Sequence, residues 1–385
     1  MPTAATTTKQ TPTTGNPKQP APMPMVPFTR AAKEHIEPFD DRTSAAISAN
    51  TQAQGPIDVP AYGYLRNIVI LVTIGTAGSG GSAVAAEDSP WSALTDIQLA
   101  DVNGAPLFGP VSGYDLYLAT KYGGYEFSCD PKQLSSFSAV NATTGNFAFS
   151  LKIPVEINLR DALGSLANQN ASSTYKIKYT INNSAGIYTT PPVTTLPTVR
   201  VRLFLEAWAQ PTSTDLRGMP QMTTPPAHGT TQYWSKFTVP VPAGSNTIRF
   251  TRVGNFIRNL ILVNRRGVGA AARSNGELDW PDPVQIFWDT RLLHNYTKAV
   301  FRDVITRRTG YTAAIETAGG SDNGVFVYDW MHEFDGKLGR ELRDGWLATV
   351  QSTRLEAQGL WGLGVNADTL DVITNDVSPN GEVFF

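Results

Sequence analysis

The clearest candidate for chemistry in this sequence is an acidic segment, YDWMHEFDG, at Tyr328–Gly336. Carboxylate and imidazole groups of the kind that bind divalent metal ions come from Asp329, His332, Glu333 and Asp335. Side chains alternate along a strand, so the three acids would point one way and the histidine the other. The pattern therefore favours a solvated, turn-forming segment, and a metal site at Asp329, Glu333 and Asp335 is the less favoured interpretation.

Other chemical motifs are incomplete or unspecific. Gly75–Ser82 reads GTAGSGGS but lacks the lysine and the following helix of a phosphate-binding loop, which favours a loop between strands. The single cysteine, Cys129, excludes an internal disulfide framework, and a lone cysteine is most often a small buried residue. Carboxylates such as Glu156 and Asp161 could suggest a glycosidase, without specificity. We predict no enzyme, no catalytic residue and no cofactor.

Length and charge narrow the class of protein. A chain of 385 residues is long enough for two domains, each with its own core. The formal net charge of −2 argues against a protein that binds nucleic acid by neutralising phosphates. The first 27 residues lack the apolar core of a signal peptide, and no stretch reaches the roughly 18 apolar residues of a membrane helix.

The N-terminal part differs in composition from the rest. Residues 1–27 are rich in threonine and proline and carry no acid, which predicts a flexible arm. Residues 30–39, RAAKEHIEPF, are predicted to form a short helix that Pro38 ends. We therefore assign residues 1–56 to an N-terminal arm.

From Ile57 onward the sequence is typical of short β-strands separated by turns. In Thr198–Trp208, apolar and polar residues alternate with the period of two that a half-buried strand shows. Residues 211–232 are rich in Pro, Thr and Gly without periodicity, and we interpret them as a linker. It separates a first domain, 57–210, from a second, 233–385. Two short helices are expected, at Ser112–Lys121 and Asn295–Arg308.

The two halves repeat one another. GYLRNIVILV at Gly63–Val72 is answered by GNFIRNLILV at Gly254–Val263. Three further matches follow in the same order: Asp96–Gln98 with Gln285–Phe287, Thr120–Tyr125 with Thr306–Tyr311, and Leu159–Asp161 with Leu342–Asp344. Collinear matches of this kind predict two copies of one β-sandwich, and Arg66 should superpose on Arg258.

Taken together, these features resemble one family. The strand VPAYGYLRNIVILV at Val59–Val72 and the segment at Asp101–Tyr125 are similar in style to double jelly-roll major capsid proteins of tectivirus-like bacteriophages, which are tailless and contain a membrane. The resemblance covers about residues 28–385 and concerns architecture more than motifs. It implies an all-β fold of two tandem eight-stranded jelly rolls, with short helices in the connecting loops and an extended N-terminal arm.

The resemblance also implies a function and partners. The chain would be a major capsid protein whose homotrimers form pseudo-hexagonal capsomers of an icosahedral virion, made in the host cytoplasm. Its partners would be neighbouring capsomers, penton and minor capsid proteins, and an internal membrane, without specific nucleic acid. A viral spike or receptor-binding protein and a carbohydrate-binding or carbohydrate-active β-sandwich are the alternatives, the latter because eight tryptophans suit sugar binding.

Overall fold

The computed structural model describes residues 24–75, 84–125, 146–191, 196–226, 228–267, 273–309, 321–334 and 341–378. The described residues of the first half form three α-helices and eleven strands. They are α1 (Phe28–Ala31), β1 (Glu34–Thr43), β2 (Gln52–Asp58), β3 (Tyr64–Gly75), β4 (Val84–Ala85), β5 (Leu94–Ala100), β6 (Pro106–Val111), α2 (Gly113–Tyr122), β7 (Asn146–Pro154), β8 (Leu166–Ala167), β9 (Lys176–Ile181), α3 (Ser184–Ile187), β10 (Tyr188–Thr190) and β11 (Thr198–Trp208).

The second half follows after a connection that spans residues 209–230. It contains β12 (Thr231–Val241), β13 (Gly244–Arg249), β14 (Phe256–Arg266), α4 (Arg273–Asp279), β15 (Val284–Trp288), β16 (Arg291–Tyr296), α5 (Lys298–Thr309), β17 (Val325–Asp329), β18 (Leu347–Ala348), β19 (Leu355–Trp361) and β20 (Asp368–Ser378). No described helix is long and apolar enough to cross a membrane.

Both halves arrange their main strands in the same order. In the first half, one sheet runs β1-β11-β3-β7 and the other runs β2-β9-β5-β6. In the second half, the corresponding sheets run β12-β20-β14-β17 and β13-β19-β15-β16. Each half therefore pairs its first strand with its eighth and its second with its seventh, which is the jelly-roll topology. The predicted fold of two tandem eight-stranded jelly rolls is confirmed.

The repeated strand occupies equivalent positions in the two sheets but different surroundings. In β3, Ile68, Ile70, Val72 and Ile74 are fully buried while the residues between them are partly exposed, so one face lies on the core. In β14, nearly every residue is buried because α4 packs on the sheet. Burial thus explains the apolar runs of both strands: β3 is buried on one face, and β14 is buried on both faces.

The predicted helix at 30–39 and the arm extending to residue 56 are wrong. The helix is α1, which ends at Ala31, and residues from Glu34 onward form β1. This strand pairs along β11 from Glu34 opposite Trp208 to Thr43 opposite Arg200, with an irregularity at Pro38 that accommodates the proline. Residues 34–58 therefore supply the first two strands of the first jelly roll. Residues 1–23 lie outside the described part.

Candidate functional site at the junction of the jelly rolls

Of the three predicted metal ligands, the structure describes Asp329 and Glu333. Asp329 ends β17 and accepts a hydrogen bond from Arg308 at 2.9 Å. Burial raises the pKa of Asp329, and the nearby Arg308 offsets this only in part. Glu333 is exposed on a loop with a φ of 57°. No three His, Cys, Asp or Glu side chains of the described ranges are placed to hold a metal ion, and Asp335 lies outside those ranges. A metal site at these residues stays the less favoured interpretation and is untested.

The other candidate groups have structural partners or are not described. Glu156 is fully buried in an ion pair, and Asp161 pairs with Arg343. Cys129 and most of the glycine-rich loop lie outside the described residues. The two carboxylates that could have suggested a glycosidase are therefore each held by an arginine.

The arginine of the repeated phrase is a buried anchor in the first half. The guanidinium of Arg66 donates to Glu156 at 2.8 Å and lies 4.1 Å from the ring centre of Trp208. The indole of Trp208 donates to the same carboxylate at 2.6 Å. Burial raises the pKa of Glu156, and the arginine and the indole oppose this shift. These contacts tie the ends of three strands together.

Arg258 builds the same arrangement in the second half with residues from elsewhere in the chain. Its guanidinium donates to Glu341 at 2.6 Å and to Asn375 at 2.8 Å, and it lies 5.7 Å from the ring centre of Trp346. The indole of Trp346 donates to Glu341 at 3.3 Å. An arginine, a glutamate and a tryptophan thus meet in both jelly rolls.

Arg66 and Arg258 also share a position in the sheet. In the pairing of β3 with β11, the register shifts between Leu65 and Asn67, so Arg66 is skipped. In the pairing of β14 with β20, the register shifts between Ile257 and Asn259, so Arg258 is skipped. Both arginines are the extra residue of a β-bulge, which turns the side chain out of the regular alternation.

The two jelly rolls meet edge to edge. Strand β6, at the edge of one sheet of the first half, pairs in parallel with β12, at the edge of one sheet of the second. The pairing is centred on Phe108 and Trp234, which are each 1% exposed. One continuous sheet therefore runs through both halves.

Buried polar contacts surround this edge. The hydroxyl of Tyr114 on α2 donates to the carbonyl of Ser321 at 2.7 Å, and Lys121 pairs with Asp322 at 2.7 Å. Because these residues lie in opposite halves and are largely removed from solvent, the contacts hold α2 against the second jelly roll.

Lys236 of β12 bridges two carboxylates. Its amine lies 2.7 Å from Asp115 and 3.2 Å from Asp371. Burial alone would lower the pKa of Lys236, but attraction by the two carboxylates outweighs it and leaves the pKa raised. The lysine therefore stays charged and links α2 to β20 through β12.

Asp88 forms a second bridge. It pairs with Arg265 at 2.8 Å and with Arg273, both from the second half. Burial opposes ionisation of Asp88, yet the two guanidinium groups hold its pKa below the ordinary value. A carboxylate of the first jelly roll is thus neutralised by two cations of the second. Sequence reasoning missed the junction, because no local pattern marks partners so far apart in the chain.

The comparisons with known proteins agree with this architecture. No protein-family model matches the chain, and no curated protein matches it in sequence. Solved structures do match. The major capsid protein of STIV, Sulfolobus turreted icosahedral virus, has a TM-score of 0.58 at 12% identity, over 90% of this chain and 97% of that chain.

Two further structures give the same result. The major capsid protein P2 from bacteriophage PM2 has a TM-score of 0.53 at 11% identity, over 92% of this chain and 100% of that chain. The Faustovirus major capsid protein has a TM-score of 0.50 at 10% identity, over 90% of each chain. At such identity the likeness establishes the fold, which is the double jelly roll of these capsid proteins.

Proposed function

We propose that this chain is a major capsid protein and that three copies form a pseudo-hexagonal capsomer of an icosahedral virion shell. The observation that carries the proposal is the pair of jelly rolls with one strand order, held side by side by a buried junction. A shell built of hexagonal tiles needs near-sixfold units, and a cyclic trimer of such chains supplies six similar blocks. The shared fold with major capsid proteins supports the proposal.

The role is structural and needs no catalysis. The buried arginines of the described residues are each paired with a carboxylate of the same chain, which suits a rigid block; they are Arg66, Arg258, Arg265 and Arg273. Neighbouring capsomers, penton and minor capsid proteins and an internal membrane complete the proposed set of partners, in the virion of a tailless bacteriophage whose chains are made in the host cytoplasm. Neither a spike protein nor a carbohydrate-active protein is favoured by any arrangement found in the described part.

The test is the mass and the assembly of the purified chain. Light scattering should give three times the chain mass of 41.7 kDa, and electron microscopy should show hexagonal sheets or closed shells. In purified particles the chain should be the most abundant protein. A monomer that binds or hydrolyses glycans, or a protein present in a few copies at the vertices, would overturn the proposal.

A further inference from the structure

In the part of the chain that the structure describes, two strand edges that correspond to the junction have no partner strand. Inside the chain, the fifth main strand of the first jelly roll, β6, meets the first main strand of the second, β12. The strand of the second jelly roll that corresponds to β6 is β16. The strand of the first jelly roll that corresponds to β12 is β1. In the described part of the chain, β16 pairs only with β15, and β1 pairs only with β11.

The sheet register shows which residues correspond. Ile36 of β1 pairs with Glu206 of β11, and Glu206 pairs with Asn67, the residue after the bulged Arg66. In the second half, Trp234 of β12 pairs with Asn375 of β20, and Asn375 pairs with Asn259, the residue after the bulged Arg258. Ile36 therefore occupies the place of Trp234, the centre of the junction. Trp234 is 1% exposed, whereas Ile36 is 61% exposed.

The helices α2 and α5, which follow β6 and β16, also differ in how much of their surface is buried. Every residue of α2 except Lys121 is buried, because α2 packs on its own jelly roll and also contacts the second one. In α5 only Phe301, Ile305 and Thr309 are buried. Val300 on α5 and Leu292 on β16 are each 48% exposed. The second jelly roll thus exposes a valine and a leucine, beside the charged Asp303 and Arg307 of α5, where the first jelly roll is covered.

The charges of the two free edges are complementary. On β1, the side chains of Glu34 and Glu37 are 62% and 57% exposed. On β16, the first residue is Arg291, which is exposed. The first jelly roll therefore exposes an acidic edge, β1, with Ile36 at its centre. The second exposes β16, which begins with a basic residue and carries the exposed Leu292.

We propose that β16 and α5 of one copy bind β1 of a second copy, in the arrangement that β6 and α2 make with β12 inside the chain. The inference rests on the proposed capsid function and names the surfaces that build its trimer. The contact is head-to-tail, since it joins different surfaces of the two copies. A head-to-tail contact that is repeated three times in a cyclic trimer closes a ring of six jelly rolls.

Two variants and their mixture test the contact in the full chain. Ile36→Arg places a cation at the centre of the β1 edge, and Leu292→Asp with Val300→Asp places two acids on the surface of β16 and α5. Each variant should fall from trimer to monomer by light scattering, with an unchanged circular dichroism spectrum. An equimolar mixture should give dimers, because each variant keeps the surface that the other has lost. Leu216→Asp, at a fully exposed leucine of the connection between the jelly rolls, should remain trimeric.

The outcomes separate this inference from the proposed function. A trimeric wild type whose two variants also remain trimeric overturns the inference and leaves the capsid role standing. Monomeric variants whose mixture gives no dimer also overturn it, because the contact is then not head-to-tail. A wild-type chain that forms neither trimers nor shells overturns the proposed function itself.

Discussion

Asp161 and Arg343 form an ion pair that joins the Leu-Arg-Asp turn of the first jelly roll to that of the second. Their side chains remain 30% and 26% exposed. The leucines of the two turns, Leu159 and Leu342, are 41% and 45% exposed. The repeated motif is therefore a surface turn in both halves, and its two copies touch each other across the molecule.

Loss of this ion pair should cost little. Asp161→Asn removes the charge while keeping a polar side chain, and a partly exposed pair contributes at most about 1 kcal/mol. The free energy of unfolding from urea titration should fall by no more than that amount, and less at high salt because ions screen the pair. A loss of several kcal/mol would show that the contact controls how the halves dock.

The buried ion pair of Arg258 should behave differently. Glu341→Gln leaves the fully buried guanidinium without its carboxylate, and breaking such a pair costs roughly 3–5 kcal/mol. The matched control is Glu34→Gln, because Glu34 contacts Arg66 at 3.3 Å with its side chain 62% exposed. That control should cost less than about 1 kcal/mol in the same urea titration. Equal losses for both variants would contradict the anchoring role of Glu341.

Lys236 should determine how firmly the jelly rolls are joined. Lys236→Met leaves Asp115, which is fully buried, without its cation, and we expect a loss of roughly 3 kcal/mol. Because the lysine lies at the junction, calorimetry should show the single transition separating into two, and proteolysis within 209–230 should become faster. Arg200→Met breaks an exposed pair with Asp41 and should change neither readout. One unchanged transition in Lys236→Met would exclude a linking role.

The sequence was sufficient for the fold and for the correspondence of its halves. The repeated Arg-Asn phrase placed Arg66 and Arg258 at one position, because a buried strand imposes the same apolar run wherever it recurs. The two amphipathic helices were also close: α2 was predicted at Ser112–Lys121 and lies at Gly113–Tyr122, and α5 was predicted at Asn295–Arg308 and lies at Lys298–Thr309. Strands and helices of this kind can be predicted from local periodicity, because each of their residues faces either the core or solvent.

The sequence was insufficient where distant residues decide the structure. β1 reads EHIEPFDDRT, without a regular apolar alternation, and it is a strand because β11 offers a free edge. The charged residues of the junction have partners in the other half, so no spacing reveals them. At Tyr328–Gly336 the sequence pattern favoured a solvated turn, but it did not show that β17 ends at Asp329 and leaves that carboxylate buried.

Asp279 and Asp368 form a carboxyl pair where α4 ends and β20 begins. Arg266 donates to Asp279 at 2.7 Å, and Asn264 donates to Asp368 at 3.0 Å. Burial raises the pKa of Asp368 to about 6, with Asp279 adding to the shift and Asn264 opposing it. Burial also disfavours the charge of Asp279, but Arg266 and Asn366 outweigh it and lower its pKa. As the pH falls, Asp368 is thus the member of the pair that takes up a proton first.

The pair should make stability fall as the pH rises from about 4 to about 6. The pKa of Asp368 is about 6 in the folded chain against an ordinary value of 3.8, so the folded state binds more protons in this window. Asp368→Asn mimics the protonated acid and should match the wild type near pH 4. At pH 7.5 the variant should be more stable by about 1–2 kcal/mol, after allowing for solvent screening. Melting temperatures of both chains, measured from pH 4 to pH 7.5, test this prediction. The control is Asp303→Asn, at an exposed carboxylate, whose melting temperature should change with pH as that of the wild type does. An Asp368→Asn variant whose melting temperature also follows that of the wild type would show that the pair holds no proton.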